Sequence, residues 1–367
     1  MEASMRKIVL LYVLFFIFIC VIFGQTFIAN SEKPVNKNAG KIVKLREVFR
    51  IRDDGAEIMF KAPYDLKIGH DGSVYFYDDF KLYKFNYEGK FVFKIIKQGQ
   101  GPSEAIRRTS YLLTEYEIIV QAESPPKIMR FDLQGKYKEE KRLELTHAFK
   151  FLGLIRDKIY GFLEEISINE YVTEGYIDFP TNLYEISRDF ELINKIYSFP
   201  IKYYVYRSFA WWPRARMDYT IKNNKYLFAT HTPSYQIIKF DIEKKLVEKV
   251  FKRKYRRVEI HQQDKRIPKS GVLSAPPNKF YYDISKLLIH KDELWAFTST
   301  RDKKNRRLID VYDMEGKYIN NFYLEYPKDI NPRNFAYDSI SLMGEYIYSI
   351  DEDINGFFSI AKYMIIH

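Results

Sequence analysis

One unit recurs six times along this 367-residue chain, and the recurrence restricts the fold more than any other feature. Each unit is an apolar strand, a loop, a second apolar strand ending in a tight turn, and a third strand. The first runs through Val74-Tyr75-Phe76-Tyr77-Asp78, Leu82-Tyr83-Lys84-Phe85, the turn Glu88-Gly89-Lys90, and Phe91 to Ile96. The next four repeat it around Ile128 to Asp132, Leu183 to Ile186, Ile237 to Asp241 and Ile309 to Tyr312. The sixth reaches Phe358-Ser359-Ile360-Ala361 and has no third strand after it. A further short strand precedes every unit, joined to it by turns such as His70-Asp71-Gly72-Ser73 and Lys222-Asn223-Asn224-Lys225. Asp, Asn and Gly supply the positive φ angles of two-residue hairpins. Four strands per unit make a propeller blade.

The incomplete sixth unit and a spare strand, Ile42 to Phe49, answer one another. Placed as the outer strand of blade six, that segment closes the ring and pairs an edge that would otherwise stay open. The expected fold is all-β: a six-bladed propeller of four antiparallel strands per blade, closed by the N-terminal strand. Blades stack face to face, so the middle strands read as apolar runs instead of alternating. The 31 Tyr and 29 Phe suit the wedges between them. The expected domains are a signal peptide or N-terminal anchor at 1–24, a linker at 25–41, and the propeller at 42–367.

The first blade resembles a family. Asp71-Gly72-Ser73-Val74-Tyr75, then Lys84-Phe85 with Glu88-Gly89-Lys90-Phe91, then Gly99-Gln100-Gly101-Pro102-Ser103-Glu104 is similar to NHL-type repeats of extracytoplasmic six-bladed propellers. The likeness is good in blades one and two, partial in four to six and poor in three. It implies the fold and leaves activity open.

Arg6 and Lys7 precede an unbroken apolar run, Ile8 to Phe23, which reads as a signal peptide or an uncleaved anchor. The expected location is extracytoplasmic: secreted, periplasmic, or held at the membrane by that segment alone. The one cysteine, Cys20, lies inside the run, so thiol catalysis and thiolate metal sites are excluded beyond it.

Blade-to-blade links share a face with the loops between the second and third strands of each blade. Four links are long, at 97–109, 200–218, 252–282 and 325–336, and together they hold 18 Lys and Arg against 6 Asp and Glu. The net charge of the chain is +11. The excess therefore belongs to one face, which suits an anionic glycan, peptide or protein partner. Candidate ligand-binding residues are Arg207, Trp211, Trp212, Arg214, Arg256 and Arg257, because aromatic faces beside arginines suit acidic sugars or peptides. An acidic loop at 164–181 shares that face and offers these links an internal partner. Export and the lack of a nucleic-acid motif argue against nucleic acid.

No nucleophile elbow, His-Glu-x-x-His or phosphate-binding glycine loop is present. His147, His231 and His261 fall toward the link face without the spacing of a zinc site. Asp351, Asp353 and Asn355, followed by Gly356, open like a calcium loop. Its twelfth position is Lys362 instead of an acid, so a polar inter-strand turn accounts for it better. The sequence thus points to a non-catalytic binding or scaffold propeller with no cofactor, calcium being the one candidate ion. The alternative is a metal-dependent hydrolase or lactonase working in the central channel.

Overall fold

The repeat unit folds as its pattern dictates. The computed structural model describes residues 25–53, 55, 58, 60–106, 109–143, 149–164, 174–206, 210–213, 217–260, 278–327, 330 and 340–367. The segment at 1–24, read as a leader or anchor, lies outside them. Among the described residues no helix is long and apolar enough to cross a membrane.

Six antiparallel blades follow in chain order. Blade one is Tyr64–Ile68, Val74–Asp78, Lys81–Phe85 and Phe91–Ile95. Blade two is Thr109–Leu113, Glu117–Glu123, Pro126–Asp132 and Tyr137–Arg142. Blade three is Lys150–Ile155, Lys158–Glu164, Glu174–Ile186 and Leu192–Tyr206. Blade four is Asp218–Lys222, Tyr226–Thr230, Ile237–Asp241 and Leu246–Arg253. Blade five is Ile284–His290, Glu293–Arg301, Arg307–Asp313 and Tyr318–Glu325. Blade six supplies Ile340–Met343, Tyr346–Glu352 and Phe358–Ile366.

Its fourth strand comes from the N-terminus. Strand β1 is Thr26–Asn30 and strand β2 is Lys41–Arg52. The second half of β2 runs antiparallel to the last strand, from Lys44 opposite Ile366 to Arg52 opposite Ser359. This is the closure expected from the spare strand. The first half of β2 does something else: Lys41 to Lys44 pair in parallel with Phe322 to Glu325 of blade five. One strand thereby fuses blades five and six into an eight-stranded sheet. The segment expected to be a linker also differs. Thr26 to Asn30 add a parallel fifth strand beside Lys249 to Arg253 of blade four, because that outer edge otherwise leaves its backbone groups unpaired.

Six apolar clusters, one at each junction, hold the ring. Tyr75, Tyr77 and Ile95 meet Tyr111, Ile118 and Met129 between blades one and two. Ile51, Ile350 and Ile360 meet Val74, Phe76 and Phe85 between six and one, so the circle is complete. The others lie between blades two and three, three and four, four and five, and five and six. Each middle strand is covered on both sides, which is why Val74–Asp78 and Ile237–Asp241 are wholly buried.

Polar pins repeat as well. The third-strand residue two positions before the capping residue of the turn reaches the turn of the next blade. Lys84 Nζ donates to Leu133 O at 2.8 Å, an Arg130 guanidinium N–H to Arg188 O at 2.8 Å, and Lys239 Nζ to Glu315 at 3.1 Å. In blade three the polarity reverses, with Glu185 accepting from Lys245 at 3.3 Å. The turns share a cap: Asn86, Asp132, Asp241 and Asp313 side-chain oxygens accept N–H groups two to four residues on, and Ser187 does so in blade three.

The fourth turn position needs a positive φ. Gly316 has φ +88°, and a Cβ there would lie 2.7 Å from Cδ1 of buried Phe251. Gly344 has φ +58° with open space around it. Gly316→Ala should therefore cost about 2–3 kcal/mol and Gly344→Ala only about 1 kcal/mol, as read from urea midpoints. Equal losses would show that Phe251 yields freely.

Candidate functional site

The first strand of every blade borders the central channel, and its leading end faces the links. Three of these strands carry a lysine: Lys150 is the first residue of its strand, Lys286 the third of its own, and Lys67 the fourth of five in Tyr64–Ile68, its backbone nearer the hairpin turn than the link. In blade one the ladder shifts register between Tyr64 and Lys67, and Asp65 takes φ +53° at the shift. This local strain re-aims side chains beside the channel. Lys67 Nζ lies 3.1 Å from Asp65, donates to the carbonyl of Tyr111 in blade two, and sits 4.0 Å from the centre of the Tyr111 ring. Tyr111 in turn donates its hydroxyl proton to Asp65 O at 2.7 Å. The Lys67 side chain keeps 29% of its surface accessible. Burial pushes its ammonium below the ordinary lysine range. Asp65 opposes that shift and the like charge of Lys150 adds to it.

Lys150 opens the first strand of blade three, exposed, 5.2 Å from the centre of the Tyr219 ring. Lys286 follows another register shift in blade five and bridges to Asp218 of blade four at 3.1 Å. The second oxygen of Asp218 accepts the Leu287 N–H at 2.6 Å. Next to Lys286, Ser285 accepts a bond from Arg307 at 3.1 Å. Arg307 is 4% exposed, its Nε–H has no partner, and no carboxylate pairs with it among the described residues. Among the described residues these strands and their neighbours thus carry Lys67, Lys150, Lys286 and Arg307, with Asp65 paired to Lys67 and Asp218 to Lys286. A buried cation without a counter-charge favours an anion strongly.

The residues expected from sequence fall in two places. Blade three extends beyond its neighbours: Glu174 to Pro180 pair with Pro200 to Tyr206, adding about 20 Å of ribbon at ~3.3 Å per residue. Ala210–Pro213 adds a fifth strand, with Trp211 opposite Val205 and Trp212 opposite Tyr204. The described parts of the acidic loop, from Glu174, and of the basic aromatic link, to Tyr206, therefore belong to one sheet, Asp178 standing opposite Lys202. Both had looked like loops because neither carries a clean alternating pattern. Arg207 and Arg214 lie outside the described residues. Arg256 is exposed on the next link. Arg257 is fastened, donating to Asp283 and to Pro233 O, both at 3.1 Å, with its guanidinium over Phe280. Its neighbour Arg253 is buried in the junction of blades four and five, 2.7 Å from Asp310.

Among the described residues no three His, Asp or Glu side chains converge as metal ligands. Asp351 is buried and accepts from Arg50 at 2.9 Å, Ser349 at 2.6 Å and Tyr363 at 2.5 Å. Asp353 caps its own turn, accepting the N–H groups of Asn355 and Phe357 at 2.7 and 3.0 Å. His231 packs edge-on against Phe199, and burial lowers its pKa. His147 and His261 lie outside the described residues. The channel lysines were missed in the sequence. The available signal was a lysine inside Leu66-Lys67-Ile68, the short strand in front of the first unit.

Residues 56–206 match the DUF5128 family model, described as a 6-bladed beta-propeller. The propeller resemblance read from the first blades is borne out. A solved Bacteroides fragilis protein described as exported is 14% identical, covers 93% of this chain and 100% of its own, and has a TM-score of 0.53. A DUF4221-family protein of Bacteroides vulgatus is 10% identical, with 90% and 99% covered and a TM-score of 0.53. At these identities the likeness shows the fold. No curated protein has a sequence matching this chain.

Proposed function

We propose that this chain is a non-catalytic binding propeller outside the cytoplasm, and that its channel mouth captures an anionic glycan, peptide or protein segment. The observation that carries this reading is Arg307, buried with no carboxylate paired to it among the described residues and bonded to Ser285 next to Lys286, with Lys67 and Lys150 on the first strands of blades one and three. Arg256 and the blade-three ribbon bearing Trp211 and Trp212 stand on the same face and would extend the contact. The apolar run at 8–23 behind Arg6 and Lys7 supports export, as does the description of the Bacteroides fragilis neighbour.

The test is titration with oligogalacturonate and with an acidic peptide at two salt concentrations. The variant Lys67→Met with Lys150→Met should bind at least tenfold more weakly and show a flatter salt dependence. The affinity of the unaltered protein should also fall as pH rises, and earlier than an ordinary lysine near 10.4 would allow. The ammonium form holds the anion, and a lowered pKa removes that form sooner. Unchanged binding in the double variant would reject the site.

A further inference from the structure

We propose a second site, on the outer rim of blade five, that takes an uncharged saccharide. The strap leading into β2 crosses the outer strand of blade five and leaves a cavity of about 300 Å³. Four carboxamides, Asn36, Asn38, Asn320 and Asn321, line it together with Lys41 and Glu293. With His367 the lining holds one ammonium, one carboxylate and one imidazole, which gives no strong bias toward a ligand of either charge. Carboxamides both donate and accept, so neighbouring pairs match the alternating hydroxyls of a sugar ring.

The lining is already arranged. Asn36 Nδ2 donates to Asn320 Oδ1 at 3.1 Å, and Asn36 Oδ1 accepts the Asn38 N–H at 2.9 Å. Trp295 Nε1 donates to one oxygen of Glu293 at 3.1 Å, which fixes that carboxylate. Val43, Val311 and Phe322 form an apolar floor suited to the C–H face of a ring. The volume sits at the small end of ligand pockets, enough for one or two rings and too small for a folded partner. The site lies on the rim and shares no residue with the channel mouth.

The full chain, in mild detergent because of the apolar run at 8–23, would be screened with glucose, galactose, N-acetylglucosamine, cellobiose and maltose. Glucuronate serves as the charged control, and saturation-transfer NMR followed by titration is the readout. At least one neutral sugar should bind. Asn320→Trp, which fills the cavity, and Glu293→Gln should each weaken it at least tenfold, while Lys67→Met with Lys150→Met leaves it unchanged. Asn38→Trp, on the exposed strap, replaces Asn320→Trp should the latter misfold. Absence of binding by every neutral sugar, indifference to the filling variants, or equal binding of glucuronate would overturn the assignment. Failure of the channel variants to affect acidic ligands would leave this result standing, so the two sites are judged separately.

Discussion

Arg253→Met should lower the unfolding free energy by about 3–5 kcal/mol, the usual consequence of stripping one partner from a buried ion pair. The Arg253 side chain is 6% exposed and that of Asp310 wholly buried, with 2.7 Å between them. Tyr235 and Tyr318 each donate a hydroxyl proton to the same carboxylate, at 2.6 and 2.8 Å, and Tyr312 donates to Tyr235 at 2.8 Å. The guanidinium also lies about 5 Å from three ring centres, those of Tyr235, Tyr255 and Tyr318. Burial alone would lower the Arg253 pKa, but the Asp310 charge, Tyr235, Tyr318 and the hydrogen bond to Asp310 together raise it. Methionine keeps the stem and removes the charge, leaving Asp310 buried with phenols alone. Adding Asp310→Asn should return much of the loss, because the orphaned charge goes with it. Urea denaturation of the single and double variants measures both steps. A single-variant loss under about 1 kcal/mol would mean that the junction is held by packing alone.

Deleting residues 25–52 should abolish cooperative unfolding. The last strand would lose its partner from Lys44 to Arg52, blade six would keep three strands, and Ile51 would leave the cluster between blades six and one. The exposed edge would also invite pairing with a second molecule. A permuted chain beginning at residue 53, with 41–52 attached behind residue 367 by a short turn, separates lost pairing from lost length. Lys44 already stands opposite Ile366, so a hairpin there reproduces the native register. The permuted chain should regain a single sharp transition in thermal circular dichroism. If the deletion itself unfolds as sharply as the intact protein, β2 is dispensable to the ring.

The ring was legible in the sequence because local chemistry repeats where geometry repeats. Asn86, Asp132, Asp241 and Asp313 mark the same turn, and the apolar strands before them are buried twice over. The closing half of β2 was legible by counting strands. Its first half was not, nor was β1: a five-residue segment, Thr26–Asn30, with three exposed side chains announces no partner, and its mate begins at Lys249. The blade-three ribbon was hidden because charge on both strands mimics a solvated loop. The channel mouth was the least visible part. Lys67 and Lys150 are distant in sequence and feel one another's charge only when the ring forms, and Lys286 likewise meets Asp218 only across blades, while Arg253 and Arg257, which looked like surface charge, are held by Asp310 and Asp283.

The N-terminal arm divides the circle unequally. Blades four to six are laced together by main chain: β1 lies on blade four, Asn30 bonds to Gly316 O and to the Tyr318 N–H of blade five, and β2 crosses from five to six. Blades one to three have no such lacing among the described residues and meet through side chains. Breathing of the circle should therefore concentrate in that half, where Lys67 and Lys150 stand. Amide exchange should be slowest along β2 and faster at the unlaced seams between blades one, two and three.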